Sequence, residues 1–311
     1  MDIAESVSFQ MIHIRDLSQS FFYFWEAAQG EDEPEQLQLW QELYESRHPE
    51  VFQVYFSRPY WGRREDLPEA LKRYKEDIDG IKKTAKEVTQ LIPQIAARAQ
   101  TAFAISEDEI EMDVIAFVGA YYTDGFGFPI SGRTTIFLAL ERLAEYESDQ
   151  TKALIAHELS HGFHVEIAKN SHPRLFAEIM KDPAQLLQLA PGLFMEGLAV
   201  AASKRIVPGL NERAFLFYGR EQWEWCQANR ARLVKLALKE LENQGQDSYH
   251  KFLTTARPQE ELPYHRTGYY IGYLAIEQLL EQYGLRELAE LRPKEYPHMV
   301  RTALREIDKQ R

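Results

Sequence analysis

The segment from Glu147 to Lys169, ESDQTKALIAHELSHGFHVEIAK, constrains this chain more than any other stretch. Ser148 or Asp149 can cap a helix start, and Ala153, Leu154 and Ala156 to Leu159 contain no helix breaker. In a helix, His157 and His161 stand one turn apart, about 6 Å between Cα atoms at roughly 1.5 Å rise per residue. Two imidazoles at that separation on one face can reach a single ion. Glu158, rotated by about 100° from His157, borders such an ion without having to ligate it. This is the H-E-x-x-H arrangement, in which two histidines bind zinc and the glutamate serves as general base.

A catalytic zinc takes three protein ligands and leaves one position to water. A third histidine close behind would require HExxHxxGxxH, with Gly at 164 and His at 167. The chain has His164 and Ile167 instead, so that class is excluded. A glutamate on a second helix is the other source, and PGLFMEGLAVAASK at 191–204 supplies Glu196. Pro191 suits a helix N-terminus, and the small residues Gly197, Ala199, Ala201 and Ala202 allow close helix packing. A carboxylate in so apolar a run is costly to bury unpaired, which is a physical reason to give Glu196 a cation. His164 follows His157 by seven residues on nearly the same face; it is read as a packing histidine, with a spare ligand or a partner of the ligands as the other uses.

HELSH at 157–161 together with Glu196-Gly-Leu-Ala resembles the gluzincin metallopeptidases, the thermolysin-like branch of the zincins. More narrowly, the chain resembles the uncharacterised bacterial family of predicted zinc-dependent proteases, in which a GYYxGY-like segment follows the ligands; here RTGYYIGYLAIEQLL occupies 266–280. The resemblance covers roughly residues 110 to 285 and does not reach the first hundred. It implies His157, His161 and Glu196 as ligands of one Zn2+ per chain, Glu158 as base, and the strand near 133–140 as the edge along which a peptide lies by β-addition. Thermolysin carries an acidic residue one turn after its ligand glutamate; the matching position here is Val200. The electrophile that stabilises the oxyanion in gluzincins is a Tyr or His, and YHRTGYYIGY at 264–273 offers Tyr264, His265, Tyr269, Tyr270 and Tyr273, beside Arg266. On one continuous helix His265, Tyr269 and Tyr273 would share a face. His265 and Tyr269 are the residues chosen.

Composition narrows the partners. Lys plus Arg total 36 against 48 for Asp plus Glu, a net charge of -12, and that field repels phosphate backbones and anionic lipid surfaces. Nucleic acid is not an expected partner; a peptide or protein substrate is. Asp2 and Glu5 stand where a signal peptide carries Lys or Arg, and no long apolar region follows, so a cytoplasmic location is expected. FFYFW at 21–25 and VIAFVGAYY at 114–122 fall short of the roughly 20 residues of a membrane-spanning helix. The single cysteine, Cys226, sits in WEWCQ and reads as core packing.

At 311 residues the chain suits packed subdomains around one cleft. The expected fold is α+β and predominantly helical: zincin-like, with a small mixed sheet beside the active-site helix. Residues 1–100 read as a helical N-terminal region, 101–210 as the catalytic subdomain with the HELSH and Glu196 helices, and 211–311 as a helical C-terminal subdomain closing the cleft. The β-branched and aromatic runs broken by glycines at 101–146 are the only strand-rich segment expected. The mixed-sign stretch Lys72 to Lys86 reads as a solvated helix face, and 213–242 as one long or broken amphipathic helix. The expected activity is zinc-dependent peptide hydrolysis. The alternative is a non-catalytic zincin-fold protein that binds metal as a regulator or partner-binding module, and intact Glu158 argues against it because a structural site needs no base.

Overall fold

A computed structural model describes residues 6–9, 12–106, 109–181, 186–242, 246–254 and 259–310. It is mostly helical with one small mixed sheet, and it divides into two compact units: Met1–Ala97 with Ile110–Glu158, and Arg98–Glu109 with Leu159–Arg311. Two helices run on through the divisions.

The first unit holds the sheet. Its strands are β1 (Ser6–Phe9), β2 (Ile12–Asp16), β3 (Met112–Phe117), β4 (Gly125–Gly127) and β5 (Thr134–Ala139), in the spatial order β1-β2-β3-β5-β4. β2, β3 and β5 are parallel neighbours; β1 and β4 are antiparallel to theirs. Two expectations are corrected here. Strands also occur at the N-terminus, outside the 101–146 segment: Ile12 and Ile14 are buried and alternate with half-exposed His13 and Arg15, a pattern too short to stand out among helical neighbours. The strand near 133–140 is also not an edge. β3 flanks β5 on one side and β4 on the other, every residue of β5 is buried, and β4 ends the sheet.

Parallel neighbours need a crossover connection, and between β2 and β3 it is the helical layer α1 (Ser18–Ala28), α2 (Glu33–Leu39), α3 (Pro49–Tyr55) and α4 (Leu67–Ala102). Asp32 caps α2 by accepting the Glu35 N–H at 3.1 Å, and Pro49 opens α3 where a missing N–H costs nothing. α4 buries the stripe Leu67, Leu71, Tyr74, Ile81, Ala85, Val88, Ile92, Ile95 and Ala99, spaced by threes, fours and sevens, while Lys72, Lys75, Lys82 and Lys86 are exposed. The mixed-sign stretch is thus the solvated face of an amphipathic helix. The expected boundary at residue 100 falls inside α4. A short α5 (Leu140–Leu143) follows β5 and leads to α6 (Ser148–Ser171).

The second unit is helical. After α6 come α7 (Pro173–Lys181), α8 (Leu189–Ile206), α9 (Glu212–Leu216), α10 (Arg220–Ala228), α11 (Arg230–Glu240), α12 (Gln246–Leu253), α13 (Thr267–Leu279), α14 (Leu285–Ala289) and α15 (Tyr296–Lys309). The stretch 213–242 is therefore broken: Phe217 takes a left-handed φ of 57°, ending α9, and Gly219 starts α10. Leu233 and Ala237 are buried as the stripe requires, and Cys226 is fully buried, its thiol pushed up to about 12 by burial. Among the described residues no helix is long and apolar enough to cross a membrane.

Candidate metal centre

The middle of α6 is buried on every side. Ala153 to Ser160 are all buried, including His157 at 3% and Glu158 at 8% exposure, and Phe163 and His164 continue the pattern. A helix enclosed all round carries polar groups only where something uses them. His157 and His161 lie one turn apart, as the spacing requires, and each offers a ligand atom within 4.8 Å of one on Glu196. His161 Nε2 stands 3.5 Å from Glu196 Oε2.

Glu196 is carried by α8, whose residues are nearly all buried. A Cβ on the next residue, Gly197, would collide with the carbonyl of Gly272, and a Cβ on Gly272 would collide with the Leu193 carbonyl. α8 and α13 thus cross backbone to backbone, which only glycine permits, and Glu196 lies at that crossing. Of the small residues after Glu196, Gly197 makes the close approach expected of them.

His164 is outside the ligand group. Its Nε2 lies 3.0 Å from the Tyr296 hydroxyl, its ring rests near Phe194 and Tyr296, and complete burial pushes its pKa down to about 3, so it stays neutral. It is a satisfied packing residue. Val200, one turn past Glu196, is buried in the apolar interior and supplies no hydrogen bond to a ligand.

The residues named for oxyanion stabilisation separate. His265 is exposed, its carbonyl accepts Gln222 Nε2 at 2.7 Å, and Arg266 takes a left-handed φ of 55° so that α13 begins only at Thr267. The helical face expected to join His265 to Tyr269 and Tyr273 is therefore not formed at His265, because the chain turns before the helix starts. Tyr269 lies in the first turn of α13 with the Arg266 guanidinium 4.4 Å from its ring centre. The Tyr273 hydroxyl accepts Lys204 Nζ at 2.7 Å and donates to Glu212 at 3.2 Å, and is committed to that ion pair. Tyr270 packs edge-on against Trp223, and Tyr264 lies against Trp225.

On the sheet side, Glu158 meets β4. A Cβ built on Gly125 would come within 2.9 Å of Glu158 Cγ, so the glycine is what admits the carboxylate beside the strand. The loop leading into β4 is gripped at successive residues. Tyr44 Oη donates to the Val118 carbonyl at 3.1 Å and accepts the Val118 N–H at 2.8 Å. The Tyr74 hydroxyl donates to the Gly119 carbonyl, and the Tyr55 hydroxyl accepts the Ala120 N–H at 2.8 Å. Glu141 accepts the N–H of Gly119 at 2.8 Å and of Tyr121 at 3.2 Å, and Arg142 and Tyr146 both hold Asp124. Glu141 is completely buried, and burial pushes its carboxyl up to about 7 against the opposing pull of those N–H groups.

Of these loop-holding residues, Tyr44, Tyr55, Tyr74 and Glu141 grip residues 118–121, and none of the four was identified from sequence. Glu141 carried the signal that exposed Glu196, a carboxylate closing the apolar run TTIFLAL, whereas Tyr44, Tyr55 and Tyr74 act over separations of 45 to 74 residues and leave no local pattern. Comparison with protein-family models, with curated proteins and with solved structures finds no match to this chain.

Proposed function

We propose that the chain is a zinc-dependent peptidase of gluzincin type. The observation that carries this reading is the convergence of His157, His161 and Glu196 within 4.8 Å, with Glu158 as the residue after the first ligand. Two imidazole nitrogens and one carboxylate are a donor set zinc favours, and ligand atoms about 2.0–2.2 Å from a tetrahedral ion stand roughly 3.3–3.6 Å apart. The 3.5 Å between His161 and Glu196 fits that geometry. Zinc, when bound, polarises a substrate carbonyl and makes water nucleophilic near neutral pH.

The chain's own residues do the rest. Glu158 takes a proton from the attacking water and returns it to the leaving nitrogen. β4 receives the substrate: Phe128 donates to Thr135 and Ala139 donates to Asp124, so residues 124, 126 and 128 bond inward to β5, and the main-chain groups of Gly125 and Gly127 point away from it. An extended peptide pairs there, beside Glu158. For the oxyanion, Tyr269 is preferred over His265, since it stands on the helix that crosses α8 next to Glu196, and Tyr273 is held by Lys204.

The test joins metal content to turnover. The purified protein is expected to hold about one zinc per chain and Glu196→Gln far less. Glu158→Gln is expected to keep zinc and lose turnover of a peptide mixture by roughly 10²–10⁴-fold. Retained turnover in Glu158→Gln ends the mechanism; zinc without turnover in the native chain points to the regulatory alternative.

A further inference from the structure

Among the described residues, five that are not glycine have left-handed backbone, and two of them meet: the guanidinium of Arg266 (φ 55°) lies 5.7 Å from the ring centre of Phe217 (φ 57°) and 4.4 Å from that of Tyr269. Such backbone is costly for a residue with a Cβ, persists only where the surroundings impose it, and clusters at functional sites. The buried Tyr218 hydroxyl donates to the Arg266 carbonyl at 2.5 Å and accepts the Tyr270 N–H at 3.4 Å. Gln222 Nε2 donates to the His265 carbonyl at 2.7 Å, and the Tyr269 N–H closes onto the Arg266 carbonyl at 3.0 Å. The turn after α9 and the start of α10 thus fix the backbone that carries this guanidinium.

The side chains suit an anionic group. A guanidinium resting on aromatic rings is held by cation–π attraction, and its planar fork of N–H donors matches a carboxylate as an ammonium does not. Phe217, Arg266 and Tyr269 are all half-exposed, so the cation is held without being shut away from solvent. α13 begins at Thr267 with no side-chain cap, and Thr267 is fully buried with a hydroxyl that has no hydrogen-bond partner. That end of a helix favours negative charge. The chain's net charge of -12 repels anions at long range, so a substrate carboxylate depends on a local cation.

In the peptidase reading the Tyr269 hydroxyl serves the oxyanion. The guanidinium 4.4 Å from the centre of the same ring then stands one or two residues away along an extended peptide, at roughly 3.3–3.6 Å per residue. Resting on that reading, we infer that Arg266 is a specificity-determining residue that binds a substrate carboxylate within about two residues of the scissile bond, and that Tyr218 positions it. The carboxylate is the C-terminus of the peptide or an acidic side chain, and the two sources are separable.

The test uses the full-length, zinc-loaded chain carrying Glu158→Gln and three acetylated alanine hexapeptides, with binding read by isothermal titration calorimetry. One ends in a free carboxylate, one in an amide, and the third in an amide with one alanine replaced by glutamate. A carboxylate-bearing peptide is expected to bind roughly tenfold more tightly than the plain amide, and which of the two does so identifies the source. Arg266→Gly, which adopts left-handed backbone freely, is expected to bring the ratio close to one, and Arg266→Lys to retain about threefold. Tyr218→Phe is expected to lower the ratio with zinc content native; an unchanged ratio there removes Tyr218 from the positioning role. Equal binding of all three peptides, or an unchanged ratio in Arg266→Gly, overturns the inference. Cleavage of all three alike by the native chain leaves the peptidase reading standing and this one fallen. A carboxylate preference that Arg266→Gly abolishes, without cleavage by the native chain, does the reverse.

Discussion

Glu141 and Glu196 enter the sequence alike, each a lone carboxylate in an apolar run, and they end in opposite settings. Glu141 is completely buried and satisfied by the backbone N–H groups of Gly119 and Tyr121. Glu196 keeps 22% of its side chain exposed and faces His161. An apolar context announces that a carboxylate has a partner, because an unpartnered one costs too much to bury. Whether the partner is a turn of backbone or a cation is decided by what the fold brings alongside. At Glu141 a loop supplies converging N–H groups; at Glu196 a neighbouring helix supplies imidazoles.

The largest expected effect comes from breaking the Glu196 side. Gly272→Ala forces a Cβ into the Leu193 carbonyl, and backbone cannot move aside as a flexible side chain can. Urea unfolding should show a loss of roughly 3 kcal/mol, and zinc content should fall because the helix bearing Glu196 is displaced. A folded variant with native zinc content would mean that the crossing does not set the ligand's position.

Next comes the Glu141 side, through pH. A folded-state carboxyl raised from its usual 4.5 to about 7 means that the native chain binds more protons than the unfolded chain between those values. The contribution is fully present below about pH 4.5 and is lost as pH rises through about 7, on the order of 3 kcal/mol in all. In Glu141→Gln that fall between pH 5 and pH 8 should disappear from chelator-treated unfolding curves. Zinc content should remain native, which separates this carboxylate from Glu196.

The smallest effect sharpens the same contrast. Tyr74→Phe removes the hydroxyl that bonds the Gly119 carbonyl and should cost about 1 kcal/mol by thermal or urea unfolding. It should not alter zinc content. A larger loss would show that the loop is held as one cooperative network.

The pair His157 and His161 was legible because a helix repeats every 3.6 residues and nothing between them interrupts it. Glu196 was legible from the cost of burying a charge, and Gly197 after it from the need of helices to approach. The edge of the sheet was not. β5 reads as a strand equally well at an edge or in the middle, and the three residues of β4 are too few to carry a period. His265 was misread for a related reason: spacing arguments assume one continuous helix, and the left-handed turn at Arg266 ended that assumption one residue before α13.

By itself the amino-acid sequence determined the mainly helical α+β composition, the two-histidine turn of α6 and the lone acid in the apolar run of α8, all consequences of local periodicity and of the cost of desolvating charge. Only the tertiary structure decided that Glu196 meets His161, that β4 rather than β5 closes the sheet, and that Tyr44, Tyr55, Tyr74 and Glu141 fix the loop leading into β4. Those pairings join residues far apart along the chain, and their free energy depends on a geometry that no local pattern encodes.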